Sequence, residues 1–124
     1  VKKDLYFKDG QKKIHIRSLK VKHGNVDCTC YIIDKKLAYI SDVSDINKKD
    51  FKFLKNLEYL VIDCLWYREH PSHLNLDKSL KLIDILSPKK AILTNLHSDL
   101  DYNDLKKKLK KNIVPAYDGM KINL

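Results

Sequence analysis

The chain has 124 residues, with 25 Lys and Arg against 16 Asp and Glu and a formal charge of +9. That length supports one domain, which at this size buries roughly two thirds of its unfolded surface. No apolar run approaches the ~18 residues of a membrane span, and the opening VKKDLYFKDG lacks the apolar centre of a signal peptide, so a soluble cytoplasmic protein is expected.

Taken in chain order, KKIHIRSLKVKH (12–23) alternates Ile14 and Ile16, then shifts phase to Leu19 and Val21. This reads as an extended strand with a bulge or break. TCYII, DKK and LAYIS (29–41) form strand, turn and strand. After the polar loop SDVSDIN, Phe51, Leu54 and Leu57 recur on one face of a short helix. YLVID (59–63) is the next strand. Asn75 is placed as N-cap of LDKSLKLIDIL, where Leu76, Leu80, Ile83 and Leu86 make an apolar stripe that stops before Pro88. KAILT (90–94) is a strand, and Asp101 caps a helix over DYNDLKKKLKK. The chain closes with NIVPAY and MKINL joined at Asp118-Gly119, which predicts a hairpin.

These elements give an α/β fold with one mixed sheet and about three helices on one face. YLVID and AILT are continuous apolar runs, so both faces of those strands should be buried. Three short helices cover one face. The other needs a second chain, a homo-oligomer or the remainder of a larger fold.

The positive charge invites a nucleic-acid reading, but among the basic residues only Arg17 and Arg68 are arginines, and base readout leans on the guanidinium fork. The densest run, KKKLKK (106–111), falls in the last turns of a predicted helix, where cations suit the dipole. A solvated basic face is the better reading, and nucleic acid is not expected as a partner. Cys28, Cys30 and Cys64 are odd in number and lack zinc-knuckle spacing, so they read as reduced structural thiols.

Polar groups of ligand or acid-base type lie at strand ends: His23 before Gly24, Asp42 after LAYIS, His73 ten residues past YLVID, and Asn95 and His97 after AILT. Sites in open α/β sheets assemble at such ends. Taken singly, Asp42 reads as a turn former and a loop histidine as merely polar. Their recurrence at successive strand ends carries the signal.

The succession VKHG (21–24), LAYISDVS (37–44), YLVIDCLWYREHPSHLNLDKSLKLI (59–83), AILTNLHSDLDY (91–102) and VPAYDGM (114–120) resembles the C-terminal half of metallo-β-lactamase-fold hydrolases, nearest the phosphoribosyl cyclic phosphodiesterase branch. The resemblance implies half of a four-layer αββα sandwich whose complete form holds two divalent metal ions, zinc or manganese, and acts on a small phosphodiester. It places His23 at a metal-ligand motif, Asp42 at the bridging aspartate and His73 at the leaving-group acid, with His70 and Pro71 in the same loop signature. At the last ligand motif Asn95 stands where a histidine is usual, and His97, two residues on, is expected to take over as ligand.

The family's H-x-H-x-D-H motif does not occur in this sequence. The expectation is therefore a single partial domain over residues 1–124, inactive without an N-terminal half carrying that motif, and the Val1 start fits a piece of a longer or split gene. Two other readings stand beside it: a non-catalytic remnant or interaction module pairing through an exposed sheet face, and, more weakly, a relative of RNA-processing enzymes.

Overall fold

The computed structural model describes residues 3–124. A hairpin opens the sheet: β1 (Lys3–Asp9) pairs antiparallel with β2 (Lys12–His23), from Lys3 opposite Ser18 to Asp9 opposite Lys12. The turn between them uses Gly10 at φ 60°, a conformation glycine adopts without steric cost. β3 (Val26–Ile33) returns along β2, and β4 (Leu37–Ile40) along β3, both antiparallel. From β4 the sheet continues in parallel through β5 (Tyr59–Asp63), β6 (Lys90–Thr94) and β7 (Ile113–Pro115), giving seven strands in sequence order.

Each parallel step crosses over through a helix. A 3₁₀ turn (Lys48–Asp50) runs into α1 (Phe51–Leu54), and α2 (Leu76–Leu86) and α3 (Tyr102–Lys108) serve the next two crossovers. Parallel crossovers are right-handed, so strands added always on the same side bring every helix to one face. The caps hold as the sequence predicts: Asn75 accepts from the Lys78 N–H and Asp101 from the Asp104 N–H. Leu54, Ile83, Leu86 and Leu105 join Leu19, Ile40, Leu60, Ile62 and Leu93 in one buried core on that face.

The opposite face is different. Its buried core among the described residues is Leu37, Val61 and Ile92, with Met120 and Ile122 of the C-terminal segment packed over it. Register extends this face into two rows across the sheet, Leu5–Ile16–Ile33–Leu37–Tyr59 and Tyr31–Tyr39–Val61–Ile92–Val114. Towards β1 nothing among the described residues covers them. Phe7 is 51% exposed, Tyr31 45% and Tyr39 44%.

Three expectations need correction. The apolar phase shift in β2 is not a bulge, because its register with β3 runs unbroken from Ile16 opposite Ile33 to His23 opposite Val26. Ile14 and Ile16 simply lie on the open face and Leu19 and Val21 on the helical one. β1 was not expected, although Leu5 and Phe7 alternate before an Asp9-Gly10 turn. The closing hairpin is a turn without a second strand: the Met120 N–H bonds the Tyr117 carbonyl, but residues 120–124 form no strand. The alternating Met120 and Ile122 cover open sheet instead of pairing at its edge.

Candidate functional site

The ends of β2, β4, β5 and β6 are tied to one another by side chains. Asp63 closes β5 with a carboxylate that is fully buried. It accepts from the Val43 N–H (3.1 Å), from the His73 ring at Nδ1 (2.7 Å) and from the Asn95 amide at Oδ1 (3.3 Å). Burial pushes its carboxyl above the ordinary range, and the Val43, His73 and Asn95 bonds work against that shift. Because Val43 is itself buried, its bond to Asp63 fixes the loop that presents Asp42.

The loop from β5 to α2 is pinned at its base, where Leu65 N–H bonds Leu74 O (2.9 Å) and Leu76 N–H bonds Trp66 O (2.9 Å). Its tip reaches back to the end of β2. There Gly24 has φ 61°, a conformation that favours glycine, and a Cβ on it would stand 2.8 Å from Ser72 Oγ and push that hydroxyl aside. His23 uses that approach, its Nδ1 lying 2.7 Å from the Ser72 carbonyl oxygen.

Both hydrogen bonds fix a tautomer. A carbonyl and a buried carboxylate accept, so His23 and His73 each carry a proton on Nδ1. The two rings meet edge to face with centroids 4.6 Å apart. Ligand atoms of His23, Asp42 and His73 lie within 4.8 Å of one another, and Asp42 is the exposed member. Two imidazoles and a carboxylate suit zinc or manganese, and a partner acceptor behind each imidazole is the arrangement that orients a metal-ligating or acid-base histidine. The residues thus fit a divalent cation, while three groups fall short of four-coordinate zinc.

The remaining residues singled out in the sequence lie around this group. His70 accepts from the Ser72 N–H (3.2 Å), with its ring 5.2 Å from that of His73. Asn95, at φ 61°, spans the ends of β4 and β5 by donating to Ser41 O and Asp63 Oδ1, both at 3.3 Å. His97 is not brought into the group. Its ring stacks on Trp66 at 4.9 Å, and its Nδ1 accepts the Asp99 N–H at 3.1 Å while Asp99 also takes the Trp66 indole N–H at 2.8 Å. Aromatic stacking and the Asp99 bonds hold it on that loop.

Asp63 was not singled out in the sequence. It hides as the last letter of the apolar run YLVID, and its signal was a carboxylate ending a strand that also leads to a histidine-bearing loop. Cys64, next to it, is an inert buried thiol pushed up to about 12 by burial, and Cys30 likewise to about 11.

The sequence profile described as the beta-lactamase superfamily domain matches residues 2–95, more than half of the chain. The chain belongs to the beta-lactamase superfamily. A crystal structure of a diphosphatase from the PhnP family superimposes with a TM-score of 0.87 at 26% identity, over 96% of this chain and 46% of that one. The metallo-beta-lactamase-fold protein YhfI from Bacillus subtilis gives 0.72 at 20% identity, over 94% and 51%. Human short-form tRNase Z gives 0.70 at 11% identity, over 97% and 45%, a likeness of fold alone.

In sequence, the chain is 29% identical over 123 residues to an octanoyltransferase of Porphyromonas gingivalis, 97% of this chain but 24% of that protein. It therefore spans about half the length of these solved relatives and about a quarter of the curated one. The superfamily includes the diphosphatase. Among the described residues, no helix is long and apolar enough to cross a membrane.

Proposed function

We propose that this chain is the C-terminal portion of a phosphodiesterase-type hydrolase whose site is completed by an N-terminal half carrying H-x-H-x-D-H. The observation that carries the reading is the convergence of His23, Asp42 and His73 within 4.8 Å at adjoining loop tips. His23 and Asp42 would hold the metal pair, Asp42 as the bridge. When bound, two divalent ions supply Lewis-acid polarisation of a phosphoryl oxygen and an activated nucleophile. His73, as the imidazolium with a proton on each ring nitrogen, gives the Nε2 proton to the departing oxygen and keeps the Nδ1 proton on Asp63, which holds the ring in the direction the transfer needs. In the arrangement the chain adopts, a ligand role for His97 would require release of its Asp99 bond.

The open sheet face supports the same reading, because a second sheet laid on Tyr31, Tyr39 and Phe7 is what an N-terminal half would provide. That exposure equally suits a non-catalytic module pairing through this face. The two readings separate in one experiment. The chain is mixed with a separately expressed N-terminal half carrying H-x-H-x-D-H, zinc or manganese is added, and hydrolysis of bis(4-nitrophenyl) phosphate is followed. Turnover confined to the mixture, and reduced about 10²–10⁴-fold by His73→Ala, is expected. Turnover indifferent to His73→Ala would remove that residue from the mechanism, and a metal-loaded but inert mixture would favour the module.

A further inference from the structure

Beside His73 lies a cavity of about 390 Å³ lined by Ser44, Glu69, His70, Pro71, His73 and Lys78. A second cavity, of about 340 Å³, shares Ser44 and Lys78 with it and is walled by Ile46, Phe51, Leu74, Leu82 and Ile85, with Lys81 and Asp45 also on its lining. The two differ in chemistry but meet at one lysine.

The sequence of α2 explains the second cavity. Ser79, Ile83 and Leu86 are the buried residues that face the core. Lys78, Lys81, Leu82 and Ile85 recur at i, i+3, i+4 and i+7, which is another face of the same helix. Leu82 on this face packs partly against the core, but Ile85 does not join it and is 51% exposed. Lys78 is also out of place for helix stability. It sits in the first turn, at the positive end of the dipole, where acidic residues are preferred. A cation and an apolar wall in these positions make local sense if they meet a ligand.

We propose that the two cavities form one substrate groove, in which the phosphate of the ester lies between His70, His73 and Lys78 and an apolar group of the same ester lies along Ile46, Phe51, Leu82 and Ile85. The substrate class is an amphiphilic phosphoester, anionic at one end and alkyl or aryl at the other. The proposal rests on the hydrolase reading for the word substrate, and on the two linings for the rest. Charge fits it. Lys78 is paired with Glu69 at 3.0 Å, but both side chains are largely exposed, so the pair contributes little and a phosphate can take its place. At the far cavity the Asp45 carboxylate offsets the Lys81 cation, so an uncharged end meets no net charge there.

The test is a metal-free titration of the chain with n-alkyl phosphates from methyl to hexyl, followed by NMR with labelled Ile and Leu methyls. Affinity is expected to rise about two- to fourfold per methylene, with shifts centred on Ile46, Leu82 and Ile85. Ile85→Asp, or Leu82→Ala as a second variant, should flatten the series, and Lys78→Gln should weaken every member. Absence of binding, equal affinity at all lengths, a length dependence that survives both apolar variants, or shifts confined to the open-face methyls of Leu5, Ile16 and Ile33 would each overturn the groove. Since no metal or turnover enters, a length-dependent series without hydrolysis in the reconstituted enzyme would leave the groove standing and sink the hydrolase reading instead.

Discussion

Leu60 and Val61 are neighbours on β5 but meet different surroundings. Leu60 is fully buried beneath the helices in a core that runs from Leu19 to Ile113. Val61 lies in a small patch with Leu37 and Ile92, under the Met120–Ile122 segment, and the rows it belongs to run out towards β1 into exposed tyrosines. The same strands make both faces. The difference teaches that this chain carries enough helix to close one layer, and that the second layer is covered only where its own C-terminus reaches.

The largest test of that contrast is mechanical. Leu60→Ala should cost about 2–5 kcal/mol, because the buried side chain leaves a cavity that a packed core cannot collapse, whereas Tyr39→Ala on the open face should cost less than about 1 kcal/mol. Urea denaturation of the two variants measures both, and equal losses would mean that the open face is packed in solution. Next comes the junction of strand ends: Asp63→Ala strands the Val43 N–H and the His73 ring, and a loss of about 2–4 kcal/mol is expected in the same assay. A loss below about 0.5 kcal/mol would show that Asp63 does not tie these loops together.

The open face itself can be sharpened with charge. Tyr31→Lys combined with Tyr39→Lys should suppress concentration-dependent self-association in sedimentation velocity while leaving stability within about 1 kcal/mol. Association unaffected by the pair would place any homo-oligomer contact elsewhere.

The smallest effect lies at the outer hairpin, where Arg17 also lies over the Phe53 ring of α1. Hydrogen bonds from Arg17 and then His15 hold the Asp4 carboxyl down at about 2 against an ordinary 3.8. With the folded value below the unfolded one, the stabilisation is complete above pH ~4 and is lost as pH falls through ~2. A carboxyl-carbon NMR titration should show this midpoint, and Arg17→Leu should move it up towards the ordinary value. A midpoint already at the ordinary value would disprove the pairing.

Much of this contrast was legible before the coordinates. The unbroken apolar runs YLVID and AILT announced strands buried on both sides, and a helix count of three announced that one side lacked cover. Asn75 and Asp101 announced their helices because their side chains satisfy N–H groups that nothing else reaches. His23, Asp42 and His73 could be read as a set because each follows a strand, and strand ends converge. What escaped depended on contacts rather than order. Asp63 looks apolar by position and becomes polar only when Val43, His73 and Asn95 arrive from three other segments. His97 has the chemistry of a ligand, but the sequence does not reveal that Trp66 and Asp99 hold its ring. Lys78 and Ile85 read as an ordinary solvated helix face until the loop around Ser44 closes a cavity over them.

The central claim is that His23 and Asp42, with His73 beside them as the acid, are one side of a metal site whose other side comes from a chain laid on the open face. Zinc titration by calorimetry tests it most directly, using this chain alone and then with the N-terminal half. Two ligands predict weak binding alone and at least about 100-fold tighter binding in the mixture, lost again with His23→Ala. Tight binding of two ions by this chain alone, or no gain on adding the partner, would contradict the account.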